Sequence, residues 1–372
     1  MTSDTLTSSK GSVGNAQLLR LLLDNYQHVP VIEHPHSVPD GVKISICVPT
    51  YQHIKTIEKC LESLLDQDVD FSYEILLGED GSTDGTRELC LEYAKKHPEK
   101  IRFFLHSREN NIRINGQPTG RFNFLYLLGK TNGEYIAICE GDDWWTDKNK
   151  LRLQVQSMAR FPQCNVSCHP AYAESSYYGR YGGIIGYHGD AQKVIPASET
   201  ILPGGGFCPT LSIMFRRNIV NSLPEWLIRA PVMDFYLLVL ASNAGGCLYI
   251  PRTIGVYGSC DASESWTNRL LSNPKFAVDF EMSFLEYLDR LADEVDAPNR
   301  MAVECLRKER SGALLFARHL PREFRVSLYE DMKSTLGLKF RLAWYLSVFG
   351  RHPGFVLQIY WYLRPLLGNK TQ

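Results

Sequence analysis

The feature that most constrains the fold of this chain is a repeated alternation of apolar strands and amphipathic helices. Four short apolar runs have the length and composition of buried strands, at residues 43–48, 73–77, 101–105 and 135–139, and Pro49 is expected to end the first. Between these runs, apolar residues recur every three or four positions, which is the spacing of one helix face. Strand–helix–strand repetition of this kind predicts an α/β fold with a mostly parallel sheet and helices on both faces.

Periodicity and capping signals give the other elements. Helices are predicted at 57–65, from a cap at Thr83 or Asp84 to Pro98, at 122–128, at 148–160, at 234–240, at 276–292 and at 301–319, and strands at 211–215, 247–250 and 253–257. The chain is therefore divided into three segments. Residues 1–41 form a disordered N-terminus, a short helix at 17–26 and a linker; residues 42–270 form the sheet domain; residues 271–372 form a C-terminal helical region.

Composition excludes several classes of function. The 372 residues are 44% hydrophobic and 22% charged, as in a soluble globular protein, and the net charge of -1 gives no general attraction for nucleic acid. Ten cysteines are scattered, mostly in apolar runs, and the polar start of the chain lacks a signal peptide, so a reducing, cytoplasmic compartment is expected. Cys164, Cys168 and His169 could form half of a zinc site, but no second pair with suitable spacing follows.

The C-terminal tail from Met332 to Gln372 differs from the rest of the chain because it is basic, aromatic and free of acidic residues. Basic residues interleaved with Trp and Tyr are typical of a helix that lies on a membrane surface. A helix packed on the main domain is the alternative interpretation. No run reaches the ~18–20 apolar residues that are needed to span a bilayer.

Three polar loops follow predicted strands, at the edge of a parallel sheet where ligands bind. They are Pro49-Thr50-Tyr51, the segment from Glu79 to Gly85, and Glu140-Gly141-Asp142-Asp143. One such loop could arise from turn chemistry alone. Three of them on one edge predict a binding site.

The third loop opens the sequence CEGDDWWTD, in which three acidic residues directly follow a buried strand. Unpaired buried carboxylates are costly, so a cation is expected nearby. Asp142 and Asp143 could bind a hard divalent cation together with substrate phosphates. Alternatively, the aspartates could favour the first turn of the helix predicted from Lys148. That alternative does not explain Glu140, which comes while the chain is still leaving the strand.

The order of VPTYQ, EDGSTDGT and GEYIAICEGDDWWTDKNKLRLQ resembles the family 2 glycosyltransferases of GT-A fold. The third segment is similar to the EGDD(Y/W)W version found in bacterial enzymes that build surface polysaccharide. The resemblance covers roughly residues 43–257. It implies a nucleotide-sugar-dependent transferase that acts on a hydroxyl of a glycan or of a lipid-linked saccharide. The basic aromatic tail is the feature that indicates a lipid-linked acceptor at the inner face of the membrane.

The resemblance also implies roles for individual residues. Pro49, Thr50, Tyr51, Glu79 and Asp80 would line the nucleoside site, with Asp80 accepting a hydrogen bond from a base such as uracil. Glu140-Gly141-Asp142 stands at the family's DXD position, with Glu140 near the ribose and Asp142 as the ligand of Mg²⁺ or Mn²⁺. Asp143 and Trp144 would face the sugar or the acceptor.

The segment Pro231-Val232-Met233-Asp234 resembles the family's base segment, which makes Asp234 the expected catalytic base and a single displacement with inversion the expected mechanism. A helix N-cap is the alternative role for Asp234. Two departures from the family are present. Tyr257-Gly258-Ser259-Cys260 replaces a Tyr-Arg-x-His pattern that helps to hold the diphosphate, and Met233 stands where many relatives carry Glu. Arg113, Arg121 or Arg269 could supply the missing positive charge.

Two competing functions remain at the level of sequence. A sugar-phosphate nucleotidyltransferase would need a glycine-rich loop after the first strand, and Cys47-Val48-Pro49-Thr50-Tyr51 has none. A catalytically weakened GT-A domain could serve as a binding or scaffold module, which the missing Arg and His favour and the intact acidic residues disfavour.

Overall fold

A computed structural model describes residues 12–13, 15–174, 183–258, 270, 272–317, 320–333, 340–341 and 344–345. The helices are α1 (Asn15–Tyr26), α2 (Ile57–Leu65), α3 (Thr86–Lys96), α4 (Arg121–Gly129), α5 (Lys150–Arg160), α6 (Ala197–Ile201), α7 (Asp234–Ser242), α8 (Pro274–Glu294), α9 (Ala297–Phe316) and α10 (Arg322–Met332). The strands are β1 (Ser12–Val13), β2 (Ile32–Glu33), β3 (Ile44–Thr50), β4 (Tyr73–Glu79), β5 (Ile101–Leu105), β6 (Arg113–Ile114), β7 (Gln117–Pro118), β8 (Tyr135–Ile138), β9 (Trp144–Trp145), β10 (Val166–Cys168), β11 (Ala171–Ala173), β12 (Ile184–Ile185), β13 (Lys193–Ile195), β14 (Met214–Arg216), β15 (Leu223–Pro224), β16 (Cys247–Tyr249) and β17 (Gly255–Tyr257).

Among the described residues, the main sheet has nine strands in the order β13-β16-β10-β14-β8-β3-β4-β5-β2. Its centre is parallel, because β3 pairs in parallel with both β4 and β8, and β4 pairs in parallel with β5. β14 is antiparallel to β8, and β2 is antiparallel to β5 at the edge. A smaller sheet, in the order β12-β11-β17-β9, carries the Trp144-Trp145 pair beside the main sheet.

Both faces of the main sheet are covered, as the sequence predicts. Along β3, Cys47 belongs to one hydrophobic cluster with residues of α1, α4 and α7, whereas Ile46 and Val48 belong to a second cluster with residues of α2, α3 and α5. This alternation follows from the two-residue period of a strand. The predicted α/β architecture is therefore confirmed, and it brings the carboxyl ends of β3, β4 and β8 to one edge.

Several predicted boundaries need correction. β3 continues through Pro49 to Thr50, because its pairing with β8 ends at Cys47 and the missing N–H of Pro49 interrupts no further pairing on that side. The residue before α3 is Gly85 in a left-handed conformation, not Thr83 or Asp84, although the Asp84 carboxylate still accepts the Thr86 N–H. Residues 210–212 form a 3₁₀ turn, so the strand predicted at 211–215 begins only at Met214.

The C-terminal helices pack on the sheet domain. Phe284 of α8 lies against Phe235 and Tyr236 of α7, with ring centroids 5.3 and 5.8 Å apart. No helix among the described residues has the length and apolarity needed to cross a membrane. Most of the tail from Met332 onwards lies outside the described residues; within it, Trp344 is buried and stacks on Tyr329 at 3.7 Å.

Arg102 of β5 neutralises a fully buried acid, and its loss is expected to destabilise the protein. Its guanidinium donates to Glu74, which is 0% exposed, and to Glu33. Arg102→Met is expected to lower the free energy of unfolding by about 3 kcal/mol, because an unpaired charge stays buried. Urea denaturation measures this change. The matched control is Arg20→Met, whose pair with Asp24 is 82% and 65% exposed and is expected to contribute under ~1 kcal/mol. Equal losses in the two variants would contradict the expectation.

Candidate active site

The acidic turn after β8 is the centre of the site. Carboxylate oxygens of Glu140, Asp142 and Asp143 all lie within 4.8 Å of one another. The turn is followed by β9 and not by a helix, since α5 begins only at Lys150. The helix-start explanation therefore fails for Asp142 and Asp143, whereas Asp147 does accept the backbone N–H of Asn149 near that helix.

The electrostatics of the turn are unfavourable without a cation. Burial raises the pKa of Glu140 to about 8, with further increases from the carboxylates of Asp142 and Asp234. Burial also raises the pKa of Asp143 well above its usual value, and Asp142 adds to the effect. Asp143 is 1% exposed, and its Oδ2 has no hydrogen-bond partner among the described residues. Acidic groups held together in this way require protons or a cation.

The donor set fits a hard divalent cation. All the candidate ligand atoms are carboxylate oxygens, which Mg²⁺ and Mn²⁺ prefer. The uncompensated Oδ2 of Asp143 and the raised pKa of Glu140 are what a missing positive charge would leave behind. Among the described residues, no other group of three His, Cys, Asp or Glu side chains comes together in this way, and Cys164, Cys168 and His169 do not.

Gly258 explains one departure from the family pattern. Its N–H donates to Asp143 Oδ1 at 2.9 Å, which ties the end of β17 to the acidic turn. A Cβ at this position would stand 1.8 Å from the carbonyl oxygen of Asp142, so no side chain fits. The Arg of the family pattern is therefore incompatible with this backbone path. Ser259, Cys260 and Arg269 lie outside the described residues.

A second group of residues lies at the ends of β3 and β4. Asp80 is 3% exposed and accepts hydrogen bonds from Arg108 at 2.7 Å and from Asn111 at 3.1 Å. Burial raises the pKa of Asp80 to about 6, although Arg108 and Asn111 act in the opposite direction. The Arg108 guanidinium also lies 3.9 Å from the centre of the Tyr51 ring. An aromatic face and a carboxylate are thus placed side by side, as a nucleobase site would need.

The other residues predicted for the nucleoside site have structural contacts. Both oxygens of Glu79 are engaged, one by the N–H of Ser82 and one by Arg87, so this side chain holds its own loop. Thr50 is buried with its Oγ1 3.2 Å from His53 Nδ1. The carbonyl of Pro49 accepts the N–H of Gly141, which joins β3 to the acidic turn.

Asp234 is the first residue of α7, and its carboxylate is held at both oxygens. Oδ1 accepts a hydrogen bond from the backbone N–H of Phe235 at 2.8 Å, and Oδ2 accepts one from the Thr210 hydroxyl at 3.2 Å. Each oxygen keeps a free lone pair. Its charge contributes to the raised pKa of Glu140, so the two carboxyl groups lie within electrostatic range of each other. Met233 occupies the N-cap position, and Asp234 itself does not.

Arg121 lies beside Asp234, at the start of α4. It is 7% exposed and donates to the Leu227 carbonyl at 3.1 Å. Burial lowers the pKa of Arg121 to about 10, and the Asp234 charge opposes that shift. Arg113 instead lies in the exposed β6–β7 hairpin and donates to the Gly116 carbonyl. Of these two arginines, Arg121 is the one whose pKa is influenced by an acidic residue of the site, Asp234.

Trp144 is largely covered. It is 6% exposed, pairs with Val256 across the smaller sheet, and has the Lys59 ammonium 3.5 Å from its ring centre. Its predicted contact with the sugar or acceptor stays a prediction, as do the ligand contacts of the other site residues.

Three residues of the site are missing from the sequence-based prediction: His53, Arg108 and Asn111. Arg108 and Asn111 follow β5, whose carboxyl end lies on the same edge as those of β3 and β4. Because ligands bind at the carboxyl ends of parallel strands, the residues that follow β5 could have been included in the sequence-based prediction. His53 comes directly after the loop of β3, and no acidic or glycine-rich pattern marks it.

Part of the chain is similar in sequence to known proteins. Residues 45–221 match the family model for glycosyl transferase family 2. An uncharacterized protein of Mycobacterium tuberculosis (strain ATCC 25618 / H37Rv) is 30% identical over 217 residues, which are 58% of each chain. The present chain thus matches somewhat more than half the length of this relative.

Two solved structures are similar in overall arrangement. S. aureus TarS 1–349, in complex with UDP-GlcNAc, has a TM-score of 0.48 at 16% identity, covering 87% of this chain and 92% of that one. The mannosyltransferase PcManGT from Pyrobaculum calidifontis, in complex with GDP-Man and Mn²⁺, has a TM-score of 0.47 at 13% identity, covering 96% of each chain. The chain is thus similar to glycosyl transferase family 2 over residues 45–221, a segment that contains the parallel centre of the main sheet and its acidic turn.

Proposed function

We propose that this chain is a metal-dependent, inverting glycosyltransferase. It transfers a sugar from a nucleoside diphosphate, with UDP as the first choice, to a hydroxyl group of a glycan or lipid-linked saccharide. The setting is the synthesis of bacterial cell-surface polysaccharide in the cytoplasm, at or near the inner face of the membrane. The observation that carries the proposal is the group of Glu140, Asp142 and Asp143 at the strand ends, with Asp234 close enough to raise the pKa of Glu140.

One set of residues would bind the nucleotide-sugar donor, and Asp234 would activate the acceptor hydroxyl. Tyr51, Asp80 and Arg108 hold the base, and Glu140, Asp142 and Asp143 are the residues that would hold Mg²⁺ or Mn²⁺. When bound, the cation offsets the negative charge of the leaving diphosphate. Asp234 accepts the proton of the acceptor hydroxyl as that oxygen attacks the anomeric carbon. An ordinary carboxylate suffices because the hydroxyl becomes acidic only as its bond to the sugar forms.

Inversion is supported by the acceptor side of the site. Asp234 is the carboxylate that α7 presents there, and no second carboxylate with the role of a nucleophile accompanies it among the described residues of that helix. A single displacement needs one base and no covalent intermediate. The product sugar would therefore have the opposite anomeric configuration to the donor.

The test is thermal unfolding of the purified protein with a panel of nucleoside diphosphates, with and without Mn²⁺. A nucleotide at ten times its dissociation constant stabilises the folded state by about 1.4 kcal/mol, which shifts the midpoint measurably. We expect a shift with UDP that depends on Mn²⁺. If no nucleotide shifts the midpoint of thermal unfolding, the proposal is wrong, and a binding or scaffold module is the remaining interpretation.

The affinity for the base is expected to depend on the ionisation of Asp80. Its pKa is about 6, so at pH 5 only about a tenth of the molecules carry the carboxylate that accepts the uracil N–H. Uridine, which has no phosphate to bind metal, should bind about tenfold more weakly at pH 5 than at pH 7. Calorimetry at both values measures the ratio. Asp80→Asn cannot titrate, so its uridine affinity should be lower at pH 7 and nearly constant with pH.

The same raised pKa has a consequence for stability. A carboxyl whose pKa is higher in the folded state contributes stability that is complete below its unfolded pKa and is lost as the pH rises through the folded value. For Asp80 this range lies between about 4 and about 6. Asp80→Asn should therefore not unfold more easily than wild type at pH 7.

A uridine affinity that is independent of pH in wild type would contradict the role of Asp80.

A further inference from the structure

We propose that His53 positions the Asp142 carboxylate for cation binding; the inference rests on the proposed function. The His53 Nε2 atom lies 3.9 Å from Asp142 Oδ2. The opposite ring nitrogen, Nδ1, lies 3.2 Å from the Thr50 hydroxyl. The imidazole thus stands between the end of β3 and the acidic turn. Its side chain is 16% exposed and that of Asp142 is 26% exposed, so the pair is partly shielded from water.

The backbone that presents His53 is strained and held in place. Gln52, the preceding residue, has a φ of 57°, which places a non-glycine residue in the left-handed region. Such a conformation is uncommon for a residue with a side chain and persists where the surroundings fix it. Here the Gln52 N–H donates to Ser82 Oγ at 2.9 Å, and the Gln52 side-chain oxygen accepts the Thr83 N–H at 2.8 Å.

The next two residues are also tied to the loop after β4. The His53 N–H donates to Thr86 Oγ1 at 2.9 Å, and the Ile54 N–H donates to Asp84 Oδ2 at 3.1 Å. The segment EDGSTDGT therefore has a role beyond the base site. Its Ser, Thr and Asp side chains hold the His53 loop rigid, and a rigid loop fixes the direction of the imidazole.

The acidic turn rests directly on this histidine. A Cβ on Gly141 would stand 2.4 Å from Thr50 Oγ1 and 2.7 Å from His53 Nδ1, so only glycine permits the contact. Gly141 lies between Glu140 and Asp142 in the chain. The imidazole is consequently in contact with the turn's backbone at one side while its Nε2 faces the carboxylate of Asp142.

The geometry points to support of a ligand and not to direct ligation. Among the described residues, the set whose ligand atoms all lie within 4.8 Å of one another is Glu140, Asp142 and Asp143, and it does not include His53. Ligating carboxylates commonly depend on a hydrogen-bonding partner behind them, and loss of that partner lowers metal affinity about 10–100-fold. A contact of 3.9 Å becomes a hydrogen bond after a shift of about 1 Å.

Two conservative variants separate the two ring nitrogens. His53→Gln keeps an amide group near the position of Nε2, where it can reach Asp142. His53→Asn keeps a polar group near the position of Nδ1, where it can reach Thr50 but not Asp142. The control is His97→Ala, because His97 has a similar contact with Glu99, at 3.8 Å, away from the site.

The experiment is a titration of each protein with Mn²⁺ in the presence of UDP, with free Mn²⁺ quantified by electron paramagnetic resonance. We expect His53→Asn to bind Mn²⁺ at least tenfold more weakly, while His53→Gln stays within about threefold of wild type and His97→Ala is unchanged. The Mn²⁺ concentration for half-maximal transfer should shift by the same factors. Thermal unfolding of each variant reports whether the loop is intact.

Three other results would contradict the proposed role of His53. Wild-type affinity in His53→Asn would overturn the inference, and so would equal losses in the Asn and Gln variants, because those would indicate general support of the loop. If wild type itself binds no Mn²⁺ with UDP, the proposed function fails first, and the inference fails with it.

Discussion

Asp142→Asn is expected to lower glycosyl transfer about 10³-fold or more and to remove Mn²⁺-dependent binding of UDP. The variant keeps the size of the side chain but removes one charge from the group that would hold the cation. A cation that stabilises the departing diphosphate contributes several kcal/mol to the transition state, and about 4 kcal/mol corresponds to a factor of 10³ in rate. Glu140 and Asp143 remain, so residual weak binding of metal is compatible with this expectation.

The measurement combines release of nucleoside diphosphate, in the presence of acceptor, with Mn²⁺ titration of the same preparation. Asp147→Asn is the matched control, because Asp147 belongs to the same CEGDDWWTD stretch but accepts a hydrogen bond from the backbone N–H of Asn149. It should retain transfer within a few-fold of wild type. Retention of Mn²⁺-dependent UDP binding by Asp142→Asn, at wild-type affinity, would show that the acidic turn is not the metal site.

The crowding of charge in the acidic turn also has an expected consequence for stability. Removing one of several crowded carboxylates relieves repulsion, and Glu140 and Asp143 both have pKa values raised partly by Asp142. Asp142→Asn should therefore unfold no more easily than wild type when metal is absent. A site that gains stability as it loses function is typical of charges that are assembled for a ligand.

The fold could be predicted largely because its signals are local and repeated. β5 was predicted at its observed limits, and the helix at 57–65 likewise, since apolar periodicity and strand length suffice for such elements. Pro49 shows where the local rule fails. A proline was expected to end β3, but only the pairing partner on each side determines whether its missing N–H matters.

The grouping of the acidic residues could be predicted from the sequence, whereas the residues that contact them could not. Glu140, Asp142 and Asp234 stand in stretches whose charge conflicts with their burial, and this conflict is visible in the sequence. His53 and Arg108 carry no such conflict, and their importance depends on contacts between loops that are distant in sequence. Gly258 is a similar case, because its requirement for glycine arises from the Asp142 carbonyl 116 positions earlier in the chain.

The absence of an Arg at position 258 has a structural reason in this chain. In this chain, the end of β17 is used to fix Asp143 through the Gly258 N–H, which a larger residue would prevent. Among the described residues, Arg121 is a buried positive charge that interacts electrostatically with Asp234. The departure from the family pattern is thus accompanied by a different arrangement of charge, and it does not by itself indicate loss of activity.

Asp234→Asn is expected to lower kcat between about 10² and 10⁴-fold while the affinities for UDP and Mn²⁺ stay within about threefold of wild type. General base catalysis contributes a factor of this size, and an amide cannot accept the proton. The amide oxygen can still accept the Phe235 N–H or the Thr210 hydroxyl, so the start of α7 should keep its conformation. Steady-state transfer with saturating donor and metal measures kcat. Asp289→Asn, on the exposed face of α8, is the matched control and should behave as wild type.

Comparison of Asp234→Asn with Asp142→Asn tests whether proton transfer and metal binding depend on different residues. If Asp142 holds metal and Asp234 takes the proton, the first variant loses kcat with normal UDP binding and the second loses metal-dependent UDP binding itself. A loss of UDP affinity in Asp234→Asn would instead place Asp234 on the donor side, together with Glu140, whose pKa it already influences. Near-normal kcat in Asp234→Asn would exclude it as the base, because no rearrangement of the remaining contacts can make an amide accept the acceptor's proton.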